Sequence, residues 1–294
     1  MNRIENIYMN HYKKLLLIPL VLLVISLSIL GFNYYKTGSF IKKDVSLSGG
    51  ISATINSEKK FNIDEIQGRL SKEFPDSDVS IRELAEFSTG RKIGITIDIS
   101  DVKGDQAMGK LSEILGIELN ERNFSLEEVG SSLGASFFKE MVLAIIFSLV
   151  LMAITVVIIF RKFIPSVAVI SSIVLEMIVT LAVLIIIDFK ISPAGIAALL
   201  MVMGYSIDTD ILLTTRVLKR DTGTVFERIK GATKTGITMT MTTICVSILM
   251  LLTPSSILKQ MFTIILIALI VELITTWIMN ASLLVWYLDR KQKA

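Results

Sequence analysis

Apolar residues along the chain gather into six long runs: Leu15–Gly31, Met141–Phe160, Pro165–Ile187, Pro193–Leu213, Gly236–Leu252 and Phe262–Leu288. Each is near the ~20 residues that a helix needs to cross the hydrocarbon core of a bilayer, and the last is long enough to extend beyond it. The first run is longer than the apolar core of a secretory signal. Bulky Phe32, Tyr34 and Tyr35 follow it where small cleavage-site residues would be expected. Those aromatics suit a membrane–water interface.

The pattern changes between the first and second runs. Asp44–Asn56 alternates as a strand does, and Ile63, Ile66, Leu70 and Phe74 follow helical spacing. Val79–Arg82 and Lys92–Ile99 are short β-branched runs with Ser88-Thr89-Gly90 as the turn between them. Met108–Leu115 reads as a second helix and Phe124–Val129 as a last strand, with Pro75-Asp76 and Gly104-Asp105 as boundaries. The order β-α-β-β-α-β predicts a small ferredoxin-like domain. The expected architecture is an α-helical membrane bundle with six transmembrane helices plus one small external α+β domain. Residues 1–32 hold a cytoplasmic N-terminal segment and helix one, 33–139 the external domain, and 140–294 helices two to six and a cytoplasmic C-terminus.

Composition agrees. Of 294 residues, 52% are hydrophobic, and the mean hydropathy is +0.66, as in a polytopic membrane protein. A net charge of +3 gives nucleic-acid binding no support. One cysteine, Cys245, and one histidine, His11, exclude an internal disulfide and a Cys- or His-rich metal site. Cys245, inside an apolar run, is expected to be inert packing. Lys and Arg set the topology. Arg3, Lys13 and Lys14 precede run one, Arg161 and Lys162 separate runs two and three, and Arg216, Lys219, Arg220, Arg228 and Lys230 separate four and five. Arg290, Lys291 and Lys293 close the chain, whereas the alternate short loops carry only Lys190 and Lys259. The positive-inside rule then puts both termini in the cytoplasm and the segment from roughly residue 33 to 139 outside.

Candidate chemistry lies inside the runs. Asp208 and Asp210 sit in the fourth, where a carboxylate costs at least ~2.5 kcal/mol to insert. On a regular helix they point about 200° apart. The Asp210 stripe includes Ser206 and Thr214, and the Asp208 stripe includes Gly204 and Thr215, so spacing alone does not choose between them. Lys234 opens the fifth run at a similar depth and is either the counter-charge or a lysine snorkelling to the interface. Thr238, Thr242, Thr240, Thr243 and Ser247 follow it, either lining a water chain or permitting close helix packing. Glu176 and Glu272 sit mid-run, as members of a proton relay or as hydrogen-bonded groups of the bundle. Ser48-Gly49-Gly50 implies a bulge or a close backbone approach.

Taken together, these residues resemble the SecF members of the SecD/SecF protein-export family, within the resistance-nodulation-division superfamily. The likeness is carried by Asp44-Val45-Ser46-Leu47-Ser48-Gly49-Gly50, by Val129-Gly130-Ser131-Ser132-Leu133-Gly134, and by Gly204-Tyr205-Ser206-Ile207-Asp208-Thr209-Asp210 running on to Arg216. Thr233-Lys234-Thr235 stands where the family has a basic residue, with Lys234 in place of the bacterial arginine. The bacterial pattern Asn-Asp-Thr is here Asp208-Thr209-Asp210, so the bacterial proton-handling aspartate aligns with Thr209. Both changes resemble an archaeal form. The resemblance implies a SecD-like subunit that completes a twelve-helix unit, a proton path at their interface, work beside the Sec translocon, and an external domain that engages the emerging polypeptide.

The expected function is a multi-pass cytoplasmic-membrane subunit that assists protein translocation, coupled to the proton gradient through Asp208, Asp210, Lys234 and Glu176, with no cofactor and no metal. One rival is a half-size efflux or lipid transporter of the same superfamily, against which the single small external domain argues. An intramembrane aspartyl protease is another. It needs two carboxylates converging from different helices, so Glu176 or Glu272 would have to join an aspartate.

Overall fold

The computed structural model describes residues 5, 8, 11–57, 59, 61–75, 77–85, 92–117, 119–120, 123–219, 223–253 and 255–293. The turn expected at Ser88-Thr89-Gly90 lies outside them, as do Arg3, Asp76 and Arg220. Among the described residues six helices are long and apolar enough to cross a membrane. They are α1 (Tyr12–Thr37), α5 (Ser131–Phe160), α6 (Phe163–Ile186), α7 (Pro193–Lys219), α8 (Val225–Leu251) and a final span, Ile257–Lys291. The final span is α9 (Ser256–Ile274), a π-helical segment Thr275–Asn280 and α10 (Ala281–Lys293) in continuous succession.

Several helices outrun the apolar runs that announced them, because hydropathy marks only the part that meets hydrocarbon. The first turn of α8 is fixed by a capping box: Thr224 Oγ1 accepts from Glu227 N at 3.2 Å, and Thr224 N donates to Glu227 Oε2 at 2.8 Å. Arg161, in the left-handed conformation with φ 50°, turns α5 into α6.

Within the chain the six helices are unequal. The apolar windows of α6, α7 and the last span are 56%, 50% and 50% buried, against 17%, 6% and 17% for α1, α5 and α8. The first three therefore form the centre, where Ile173, Leu199, Val202, Ile264 and Ala268 pack together. The other three turn most of their surface outward, to lipid or to a further protein.

The α+β domain has the expected topology. Strands β1 (Gly50–Asn56), β2 (Val79–Ala85), β3 (Lys92–Ser100) and β4 (Phe124–Val129) form an antiparallel sheet in the order β2-β3-β1-β4. Helices α3 (Ile63–Glu73) and α4 (Gly104–Leu115) are its crossovers. Alternating Ile51, Ala53 and Ile55 of β1 and Ile95, Ile97 and Ile99 of β3 bury one face of the sheet against Leu70 and Leu111 of the helices.

One expectation fails at the start of this domain. Asp44–Asn56 is not a continuous strand, since Val45–Ser48 forms a one-turn helix, α2, ahead of β1. The Asp44 carboxyl accepts from Val45 N at 2.8 Å and starts the turn. Gly49 and Gly50, at φ 89° and 128°, end it in conformations that side chains disfavour.

The two glycine motifs meet each other. A Cβ on Gly134 would lie 2.8 Å from Gly49 N, and one on Gly49 would strike the Ser131 backbone. Close backbone contact of α2 with the start of α5 thus joins domain to bundle. The loop between α6 and α7 completes the joint. Ile191 N donates to Lys42 O at 2.8 Å and Asp44 N to Ile191 O at 2.9 Å, Lys42 pairs with Asp188, and Lys190 reaches Asp78 at 2.8 Å. Asp44 is buried here. Burial, helped by the nearby Asp98, pushes its carboxyl above the ordinary range, while Arg82, the Val45 N–H and Lys190 pull it back.

Candidate functional site

Three helices of the central group carry polar residues at every fourth position on their inward faces. They are Ser172, Glu176 and Thr180 on α6, Ser206, Asp210 and Thr214 on α7, and Glu272, Thr276 and Asn280 on the last span. Four-residue spacing keeps each trio on one face. All nine are buried, none more than 1% exposed. The π turn from Thr275 to Asn280 lies within the third trio, and such turns recur at functional sites.

The stripes interlock. Ser206 Oγ donates to Glu176 Oε2 in a short hydrogen bond. Asn280 Nδ2 donates to Asp210 Oδ1 at 2.8 Å, and Thr240 Oγ1 of α8 reaches Glu272 Oε2 at 3.3 Å. The Ser172 and Thr276 hydroxyls also face Asp210, and that of Thr209 faces Glu272. Among the described residues, one buried oxygen of each carboxyl still has no hydrogen-bond partner: Glu176 Oε1, Asp210 Oδ2 and Glu272 Oε1. No lysine or arginine pairs with any of the three among the described residues. An unpaired carboxylate in such surroundings costs several kcal/mol, so the group either carries a proton or has a cation beside it.

The sequence-derived residues divide between this interior and the outer surface. Asp210, Glu176 and Ser206 come together inside. Asp208 does not join them: it lies exposed on α7, in a stripe with Ala197, Met201 and Gly204. Among the described residues nothing outside its own helix backbone comes within 4 Å of the Cβ position of Gly204. Lys234 is exposed on α8 and forms no ion pair with either aspartate among the described residues. Asp210 is turned away from it, toward α6 and the π segment.

Tyr205 is partly buried and its hydroxyl has no hydrogen-bond partner among the described residues. Arg216 Nη1 donates to Gly231 O at 2.5 Å, tying the end of α7 to the start of α8. Thr209, where the bacterial aspartate would align, is fully buried near Gly236 and close to Glu272. Gly236 itself lets the Trp277 ring approach, and a Cβ there would strike it.

The threonines of α8 split as well. Thr238 and Thr242 are exposed and bond back to the carbonyls of Lys234 and Thr238, each at 2.8 Å. Thr240 faces inward. Cys245, expected to be inert packing, is exposed on α8, because α8 turns most of its surface outward. Sequence reasoning passed over Ser172, Thr276 and Asn280. Their fourfold spacing with Glu176 and Glu272 is visible in the chain, but which stripes face one another is not.

A six-helix membrane bundle with an α+β domain inserted after the first helix, and with acids at its centre, defines a polytopic transport-type membrane protein. The family described as Protein export membrane protein SecD/SecF, C-terminal, matches residues 112–290. The chain is 36% identical over 284 residues to the protein-export membrane protein SecF of Methanocaldococcus jannaschii, covering 94% of this chain and 96% of that one. It is 32% identical to the SecF of Methanolacinia petrolearia, covering 96% and 95%. Among solved structures, SecDF of a Thermus species, a translocon-associated membrane protein, superposes with a TM-score of 0.74 at 16% identity. A SecDF in a super-membrane-facing form superposes with 0.62 at 18%. This chain is covered to 96% in the first superposition but spans only 38% of that SecDF. The chain belongs to the SecD/SecF family, with SecF proteins of archaea among its relatives. It is a multi-pass protein-export membrane protein and not an enzyme.

Proposed function

We propose that this chain is the SecF-like half of a two-subunit SecDF complex that assists translocation of polypeptides across the cytoplasmic membrane, with a SecD-like protein as the other half. The observation that carries this reading is the exposed stripe Ala197, Met201, Gly204 and Asp208 on α7, beside an α8 whose outward face carries Lys234, Thr238 and Thr242. A charge facing lipid at this depth is costly. A second membrane protein covering the stripe removes that cost, and Gly204 admits its helix closely. The size relation to solved SecDF supports the same reading, since more than half of that chain has no counterpart here. Both termini lie in the cytoplasm, and the α+β domain stands outside beside the Sec translocon, where it meets the emerging polypeptide.

The proton gradient drives the cycle through Asp208, Asp210, Lys234 and Glu176. Protonation of an aspartate removes its attraction to cationic groups of the partner, which biases the bundle between two packings. The test is export into vesicles with and without an uncoupler. Asp208→Asn and Asp210→Asn both keep volume and a hydrogen bond, so the complex still assembles. At least one, with Asp208→Asn the first expectation, loses the gradient-dependent part of export, and Lys234→Met shows a milder loss. Parental gradient-driven rates in both single variants and the double variant would sink the coupling.

A further inference from the structure

We propose that the groove between α1 and the last turn of α6 holds one anionic phospholipid of the leaflet on the α+β-domain side, with its headgroup phosphate on Lys36 and a hydrocarbon chain running down the groove. The groove has a volume of about 520 Å³. Val24, Ile25, Ile29 and Phe32 line it from α1, and Ile185 closes it from α6. Val24, Ile25 and Phe32 are exposed, so the groove opens outward to lipid. Lys36 stands at its mouth and is the only charged residue among the described ones that line it. It forms no ion pair among the described residues. A lone ammonium above an apolar wall selects a ligand with an anionic end and a hydrocarbon body.

The two ends of the groove separate head from tail. Ser28 Oγ donates to Val24 O at 2.7 Å, so this hydroxyl is turned back on its own helix and the wall below Phe32 is left apolar. Above Phe32 the backbone is fixed. Asn33 Nδ2 donates to Ser39 O at 2.8 Å, Gly38 ends α1 in the left-handed conformation at φ 69°, and Tyr34 stacks on Phe40 with ring centroids 4.4 Å apart. Lys36 is thereby placed among aromatic residues of the kind that sit at the membrane surface. Length decides between a lipid and a partner helix. The twelve-residue step from Val24 to Lys36 spans ~18 Å at 1.5 Å per residue. That is the depth of one leaflet, about half of a ~30 Å hydrocarbon core with the step up to the headgroup. A membrane-crossing helix of a partner would need a wall about twice as deep. The groove is also a different surface from the α7 stripe offered to the partner, since α1 packs on α6 and the final span.

The test reads bound lipid and not export, so it can fail without the proposed function failing. The full chain, co-purified with its partner in mild detergent, is titrated with phosphatidylglycerol and with phosphatidylcholine, and retained lipids are counted by native mass spectrometry. One phosphatidylglycerol is expected to be retained ahead of phosphatidylcholine. Lys36→Gln is expected to weaken that retention about fivefold, the contribution of one surface lysine. Ile25→Trp, whose ring fills the groove from an outward-facing position, is expected to remove the site for both lipids. Lys139→Gln, exposed on α5, leaves retention unchanged. Free glycerol phosphate leaves the lipid in place, because without a chain it gains nothing from the apolar wall. If Lys36→Gln retains phosphatidylglycerol as the parent does, or if glycerol phosphate displaces it, the inference is overturned. A complex that retains none while the isolated chain retains one has its groove covered by the partner, which overturns it equally. Should Ile25→Trp fail to fold, Lys36→Gln, a change at an exposed position, carries the decision alone.

Discussion

Asp208 and Asp210 are two residues apart and live in different environments. Helical geometry alone separates them, because a two-residue step turns the side chain by about 200°. Asp210 is fully buried with Asn280 as its donor, whereas Asp208 stands in the open beside Gly204. A third acid, Asp44, makes the cost of burial measurable outside the membrane. Its folded-state carboxyl holds its proton more tightly than in the unfolded chain, chiefly through burial. As pH rises from the ordinary carboxylate value through the raised one, the unfolded chain has already ionised and the folded one has not. Stability therefore falls across that window. Asp44→Asn keeps a side chain able to cap α2 and removes this titration, so thermal unfolding of the variant is expected to vary less over that acidic range than that of the parent. An unchanged pH profile would show that Asp44 does not set it.

At the scale of elements, the joint between domain and bundle is made by backbone. Gly134 on α5 lies under α2, and a Cβ there would sit 2.8 Å from Gly49 N and 3.1 Å from the Ser48 carbonyl carbon. Backbone atoms cannot rotate aside as a side chain does. Gly134→Val is therefore expected to cost about 1–3 kcal/mol through overpacking, read as a lower melting temperature in detergent. Gly68, on α3 with nothing within 4 Å of its Cβ position, is the matched control, and Gly68→Ala leaves the melting temperature level or raised. Equal melting temperatures for Gly134→Val and the parent would mean that this joint yields without cost. The capping box at Thr224 and the one-turn helix at Val45 follow the same logic, since local hydrogen bonds place an element boundary that hydropathy does not see.

The whole molecule is an incomplete surface. Among the described residues nothing outside its own helix backbone lies within 4 Å of the Gly204 Cβ position, so Gly204→Leu is expected to leave the isolated chain folded and melting as the parent does. The variant should lose most of its SecD-like partner on purification in mild detergent. Full retention of the partner would place the interface elsewhere. Orientation is tested by single cysteines in a Cys245→Ser background. Gly68→Cys, in the α+β domain, is expected to react with an impermeant thiol reagent added from outside. Lys230→Cys, exposed at the start of α8, should react only once the inside is opened. Labelling of the reverse sidedness would overturn the assignment from lysine and arginine.

The sequence by itself determined the number of spans, the presence of an α+β domain between the first two, the strand order that its β-α-β-β-α-β pattern implies, and the family. These follow from local composition and period, because hydrocarbon length and strand alternation act on each segment separately. It also showed that two aspartates on one helix diverge. Only the tertiary structure decided which of them turns inward, that Glu272 and Asn280 join Glu176 and Asp210, that Lys234 pairs with neither aspartate, and that the two glycine motifs touch. Helix rotation about its own axis is set by packing against neighbours that lie far off in sequence, and the π turn at Thr275–Asn280 shifts the facing of residues along its own helix. The strand read from Asp44 onward failed for a related reason. A side-chain cap and two glycines at positive φ override alternation, and their effect becomes visible only once the start of α5 is packed against them.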